Sequence, residues 1–470
     1  MLKNLLKAVN TMLETLRSRT FWKRTLALMI PAAAQQLISI GVAMMDSLMI
    51  GQFGATQIAA SSLANQLTTL AVFILMGVGT GANVMAAQFW GRGDRDSLRY
   101  IASVVLRISL IIGLILAVFA LVFPATTMRF FSTEAPIIEW GSRYFRYYGF
   151  SLPLYALTTS ATYLLRSTRH TKIPLTASIC AFFLNIFFNW VFIFGKFGMP
   201  RMELAGAAVG TLIARGVEFL IVFIYFFKYD KNIVFRFKHL FLSNKDLFKK
   251  YIKYSLPLLF SDTMLGFGLI THTAVIGHMG EVVTAANSII TVLNQFVTVL
   301  NIGLSAAAGV VIGNTIGEGD LDRAYNEGKA FFVISFCIGV LAAIVMLLVY
   351  PWFITLYNIS DSVRDAAYTI FLSLVVTFPL ATLAYVSSKG VLRGAGDTRF
   401  IMVADITLLW VVSLPLGALA GLVFHWPLFW VAFLLRLEFP AKGIWCTLRF
   451  LSKKSIRVIK AEEPAPVSDD

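Results

Sequence analysis

The first third of this chain recurs 226 residues further on. At that offset, without a gap, Pro31 meets Pro257, Gly51 meets Gly277, Gly54 meets Gly280, and Ala59-Ala60 meets Ala285-Ala286. Gly77 then meets Gly303, and Gly91-x-Gly93-Asp94-x-Asp96 meets Gly317-x-Gly319-Asp320-x-Asp322. Pro153 still meets Pro379, and Leu165-Arg166 with Thr171 aligns with Leu392-Arg393 and Thr398 one residue later. Chance yields a few apolar identities, but not glycines, prolines and an acidic loop in register. Such a chain folds as two copies of one unit.

Composition says what the unit is made of. The 470 residues are 58% hydrophobic and 14% charged, with a mean hydropathy of +0.76. Soluble domains carry roughly a quarter charged residues. Apolar runs fall at 25–50, 58–87, 101–123, 143–165, 173–195, 204–227, 252–279, 285–312, 328–352, 366–392, 400–424 and 427–451. A helix needs about 20 such residues to cross a bilayer, so the expected fold is all-α and polytopic, with about 12 transmembrane helices. Six spans per copy keep both copies in one orientation, which makes the repeats parallel about an axis along the membrane normal. The expected organisation is an amphipathic cytoplasmic segment (1–24), an N-lobe (25–228), a basic cytoplasmic linker (229–250), a C-lobe (251–451) and a disordered cytoplasmic tail (452–470).

The net charge of +15 is the excess of Lys and Arg that cytoplasmic loops accumulate, not the footprint of a nucleic-acid partner. Lys228, Lys231, Arg236, Lys238, Lys245, Lys249, Lys250 and Lys253 crowd one such loop. That pattern places both termini in the cytoplasm and the chain in the inner membrane. Cys180, Cys337 and Cys446 stand singly in apolar stretches, so neither a disulfide nor a metal cluster is expected. Met1 to Arg24 lacks the apolar core and small-residue site of a cleavable signal.

Polar groups inside the spans carry the functional signal, because a charge at mid-bilayer costs roughly 3 kcal/mol on insertion scales. Asp46 lies five residues before Gly51 with no basic residue within a turn. Such a carboxylate is protonated, ion-bound or facing water. Asn185 and Asn189 share a helix face, and Thr211 follows the small-residue run 206–210; taken separately, each reads as helix-packing glue. In the second copy His272 takes the place of Asp46, with Asp262 ten residues earlier. His272 is a proton carrier or a structural histidine. Arg215 and Glu218, at i and i+3, are expected to neutralise one another. Arg436 and Glu438 point to different faces, and Asp405 is the candidate partner for Arg436.

At this point the sequence resembles the multidrug and toxic compound extrusion (MATE) transporters, across residues 25–450. The stretches that carry the resemblance are VAMMDSLMIG, FWGRGDRD, LLRSTRHTKIP, FFLNIFFNWVFIFG, GAAVGT, IGEGDLDRA and LRGAGDTR. It implies two six-helix lobes that export bulky, often cationic and aromatic compounds by antiport with H⁺ or Na⁺. It also implies an N-lobe cation site, whose positions fall here on Asp46, Asn185, Asn189 and Thr211, with Na⁺ as a possible occupant at Asp46. The chain departs from the DinF-like branch, which has Asp where Asn189 stands. The acids of NorM-like members in the seventh and tenth helices appear here as Leu265 and Thr382, so coupling is expected to centre on Asp46. His272 and Asp262 are secondary candidates. No cofactor beyond the coupling ion, no catalytic residue and a monomer are expected.

Other classes leave less support. A flippase of lipid-linked precursors shares the architecture but calls for a basic cavity and extra spans. An intramembrane enzyme needs a convergent cluster such as HExxH or GxSxG, and none occurs. A channel needs a filter motif or a pore ring.

Overall fold

The computed structural model describes residues 11–129 and 132–459. Among them there is no strand. The principal helices are α1 (Arg19–Ile50), α2 (Ala55–Arg92), α3 (Arg95–Val122), α4 (Ala135–Tyr148), α5 (Ser151–Ser167), α6 (Lys172–Phe194) and α7 (Leu204–Ile224) in the first lobe. The second has α8 (Lys245–His278), α9 (Glu281–Gly317), α10 (Leu321–Thr355), α11 (Asp361–Ala384), α12 (Thr398–Ile406), α13 (Leu414–Ala418), α14 (Leu428–Leu435) and α15 (Glu438–Leu451). Among the described residues, ten helices are long and apolar enough to cross a membrane. The fourth and twelfth expected spans are broken instead, at Gly149–Phe150 between α4 and α5 and at Arg436–Leu437 between α14 and α15. The tenth span runs on from α11 into a wide-turn segment, Tyr385–Leu392. Such π-type turns concentrate at functional positions.

The repeated Gly-x-Gly-Asp loop is a helix-start device. Gly93 and Gly319 take positive φ, 79° and 90°. Asp94 then caps α3 by accepting from Ser97 N at 3.0 Å, and Asp320 caps α10 by accepting from Arg323 N at 3.0 Å. A side-chain acceptor at that position satisfies one of the free N–H groups of a helix start.

The lobes meet on the first two helices of each copy, in matched pairs. A Cβ on Gly77 of α2 would stand 2.6 Å from Leu259 Cα of α8. At the equivalent place in the other copy, a Cβ on Gly303 of α9 would stand 2.9 Å from Ala33 Cβ of α1. At the far end, a Cβ on Gly91 would stand 2.0 Å from Asn314 O, and one on Gly317 would stand 2.1 Å from Gln88 O. Burial follows this contact. Val84, Met85, Ala86 and Ala87 of α2 and Ala307, Ala308, Val310 and Ile312 of α9 are buried, while Ile58 and Val282 at the other ends are exposed. The molecule is therefore closed at the end that carries Arg92 and Gly317.

Three segments differ from the sequence-based boundaries. Residues 11–17 form a helix of their own that ends before Ser18, while residues 19–24 already belong to α1; the expectation for residues 1–10 lies outside the described residues. The linker is not a free tether: Arg99, Ser103 and Arg107 of α3 donate to the carbonyls of Ile233, Leu240 and Leu242. The start of the tail is ordered too, and it bridges the lobes. Gln88 Nε2 donates to Arg457 O at 3.1 Å, Ile459 N to Gln88 Oε1 at 2.9 Å, and Arg457 N to Ala395 O at 2.9 Å. Residues 460–470 lie outside the described residues.

Candidate functional site

Four residues picked out along the sequence come together in the first lobe. Asn189 Nδ2 donates to Asp46 Oδ1 at 2.5 Å and reaches Asn185 Oδ1 at 3.2 Å. Asn185 Nδ2 in turn donates to Thr211 Oγ1 at 3.2 Å. Asn185 and Asn189 are buried, whereas Asp46 keeps some solvent exposure. The i, i+4 spacing of the two amides is what lets one face of α6 meet both α1 and α7. The small-residue run of α7 provides the closeness. A Cβ on Gly206 would lie 2.6 Å from the Phe192 backbone, and one on Gly210 would lie 2.2 Å from Asn189 Oδ1.

Arg215, one turn beyond Thr211, makes no ion pair with Asp46. Its guanidinium is committed to Glu218 Oε2 at 2.7 Å, as the spacing predicted, and lies over the Tyr155 ring at 4.4 Å. Ser178 Oγ completes the group by donating to Glu218 Oε1 at 2.9 Å. Asp46 thus has an amide rather than a cation as its bonded partner, which leaves the carboxylate free to change charge.

The second lobe is built differently. Asp262 joins no part of the Asp46 group; it is fully buried against Arg393 Nη2 at 2.5 Å and accepts from Thr80 Oγ1 at 3.3 Å. Leu265 and Thr382 supply no carboxylate, and Thr382 Oγ1 donates to its own helix at Phe378 O, 3.1 Å away. His272 is partly buried on α8, with Arg436 as its charged neighbour.

The expected Asp405–Arg436 pairing is not formed. Asp405 instead binds Lys442 Nζ at 2.7 Å and accepts from Ser261, while Lys442 also reaches Glu438 Oε2 at 3.4 Å. Arg436 and Lys442 are six residues apart, a spacing that puts them on different faces of a helix. Lys442 was missed in the sequence, although a lysine four residues after Glu438 in an apolar run was a readable i, i+4 signal. Lys389, on the wide-turn segment, was missed as well.

Two pseudo-repeated six-helix lobes that close on one end and hold an isolated acid within a span define a multi-pass membrane protein. The MatE family profile matches residues 31–191 and 257–433, and the chain belongs to that family of multidrug efflux transporters of small molecules. It is 24% identical over 445 residues to a probable multidrug resistance protein NorM of Neisseria meningitidis serogroup B, covering 93% of this chain and 95% of that protein. It is 21% identical over 406 residues to a probable multidrug resistance protein YoeA of Bacillus subtilis strain 168, covering 84% and 86%. Among solved structures, MATE in complex with MaL6 superposes with a TM-score of 0.83 at 19% identity, over 92% of this chain and 97% of that one. The outward-facing conformation of a multidrug resistance MATE family transporter of the MOP superfamily gives 0.82 at 18% identity, over 92% and 96%. These likenesses establish the fold.

Proposed function

We propose that this protein exports bulky aromatic and cationic compounds from the cytoplasm across the inner membrane, by antiport with H⁺, and that Asp46 is the coupling group. The observation that carries this reading is the Asp46–Asn189 contact. It is a carboxylate within a span, bonded to a neutral amide and linked through Asn185 to Thr211 on the next helix.

Orientation follows from charge. Arg92, Arg169 and Arg457 gather at the closed end, bonded to Ile459 O, Glu318 and Asp397, and positive loops face the cytoplasm. The conformation then opens outward, with Asp46 near the open side. In that state water reaches an ionised Asp46, which attracts a cationic compound. A proton from outside neutralises the carboxylate and weakens its hold on the cation. It also removes the cost of taking a charge out of water as α1 packs more closely. The compound leaves outward, the lobes rock, and the proton is released on the cytoplasmic side. A proton needs only the one carboxylate that Asp46 supplies.

The experiment is dye transport into inverted membrane vesicles, with pH and Na⁺ gradients imposed separately, for wild type and Asp46→Asn. A pH gradient alone should drive wild-type uptake, and Asp46→Asn should abolish it at matched expression. Uptake driven only by Na⁺ would replace the proton with sodium. Normal uptake by Asp46→Asn would remove Asp46 from the mechanism.

A further inference from the structure

The second lobe carries a surplus of positive charge in its interior. Its buried acids are Asp262, Glu327, Asp397, Asp405 and Glu438; Arg393 engages Asp262, Arg323 engages Glu327, Arg449 and Arg457 engage Asp397, and Lys442 engages Asp405 and Glu438. Arg436 and Lys389 remain. Among the described residues neither has a carboxylate within ion-pair distance. Both are partly buried, and both are set on an irregularity: Arg436 on the break between α14 and α15, Lys389 on the wide-turn segment Tyr385–Leu392.

The two cations flank one aromatic shelf. Tyr385 stacks on Phe439 with ring centroids 5.7 Å apart and planes 16° from parallel. Lys389 Nζ lies 5.5 Å from the Tyr385 ring, and Tyr385 is also an electrostatic neighbour of Arg436. His272 of α8 is a further electrostatic neighbour of Arg436. An isolated buried cation is costly unless something pairs with it.

The repeat sharpens this. His272 stands 226 residues after Asp46. Where one lobe places an acid between helices, its twin places a histidine beside an arginine.

We infer that the interior of the second lobe, between His272, Tyr385, Lys389 and Arg436, is a binding site for the carboxylate or phosphate head of an amphiphile whose flat or apolar body lies along Tyr385 and Phe439. A planar guanidinium holds two oxygens of such a head side by side, and the lysine adds a second donor. The source is a soluble organic anion or an anionic lipid. The cargo role of this ligand rests on the efflux reading above; its binding does not.

The test is calorimetric titration of the purified full chain in maltoside micelles with 1-naphthoate. 1-Naphthylmethylammonium, the same rings with a positive head, serves as the control. Naphthoate should bind wild type saturably. Arg436→Gln and Lys389→Gln should each weaken it by about tenfold or more, the scale of a hydrogen bond to a charged group, while leaving the ammonium probe unchanged. Arg436→Lys should recover part of the loss. If Arg436→Gln does not purify as a single species, Lys389→Gln carries the comparison. Displacement of naphthoate by phosphatidylglycerol, but not by phosphatidylcholine, assigns the site to a lipid head; displacement by neither assigns it to a soluble anion. Unaltered naphthoate affinity in both glutamine variants overturns the inference. So does a wild type that binds neither naphthoate nor phosphatidylglycerol saturably. Asp46→Asn should bind naphthoate normally, so the efflux reading and this site fail separately.

Discussion

Gly91 and Gly317 face each other's helices across the waist of the molecule in a near-symmetric crossing, each against the backbone oxygen of the other's equivalent neighbour, Asn314 and Gln88. A methyl group at either place has no room while this end is closed. Gly91→Ala and Gly317→Ala should therefore favour the state in which this end is open. Spin labels on Asp96→Cys and Asp322→Cys, in a background lacking the native cysteines, report it directly. The label distance should lengthen in both alanine variants, and an unchanged distribution would show that the crossing does not control closure.

Arg215 is kept from Asp46 by its contact with Glu218. Breaking a buried pair from one side costs about 3–5 kcal/mol, because the remaining charge is left without a partner. Glu218→Gln should lower the thermal unfolding midpoint markedly and free Arg215 to turn toward Asp46, which would suppress efflux although Asp46 is intact. Replacing both partners, Arg215→Leu with Glu218→Leu, should recover much of the midpoint. Scanning fluorimetry of the three purified variants checks the ordering.

The clasp formed by residues 455–459 joins Gln88 of the first lobe to Ala395 of the second, and Arg457 adds a 2.8 Å ion pair to Asp397. Ending the chain after Ser452 should loosen the closed end without unfolding either lobe. Protection of 84–92 and 393–399 against hydrogen exchange should fall, and protection of α6 should not. Equal protection in the truncated chain would show that the tail is a bystander.

His239, in the linker, accepts from Arg236 N at 2.9 Å through Nδ1, which requires the neutral ring. Burial, reinforced by Arg99, Lys238 and Arg236, holds its pKa below the ordinary 6.5. The unfolded linker therefore binds the proton more readily than the docked one. The stability this group adds to docking is present above about pH 6.5 and is lost as pH falls through the depressed value. Hydrogen exchange of residues 233–242, corrected for intrinsic rates, should quicken between pH 7.5 and pH 5, and His239→Phe should flatten that dependence.

The repeat, the lobes and the Asp46 group were legible because each rests on a short-range regularity. A fixed offset, a hydrophobic run and an i, i+4 pair of amides all survive without knowledge of tertiary structure. Asp405 and Lys442 show where such reading stops. The choice between Arg436 and Lys442 as partner depends on which of them packs against Asp405 of a neighbouring helix, a tertiary contact that no local pattern announces. Lys389 was passed over for a related reason. Its span reads as an ordinary apolar run, while the wide turn that presents it arises from packing against α9. The start of the tail was misjudged from composition, since Ile459, in a short stretch among basic residues, reads as too little apolar surface to dock until Gln88 offers it a socket.

A closure made of bare main chain has a mechanical corollary. Interdigitated side chains must change rotamer one after another before two surfaces can separate. Helices that touch through glycine have no such teeth at the point of contact. They can part as stiff rods, in the manner of a hinge rather than a zip. The waist is thus suited to rigid-body travel, and the pace of each stroke falls to the weaker fastenings at its rim.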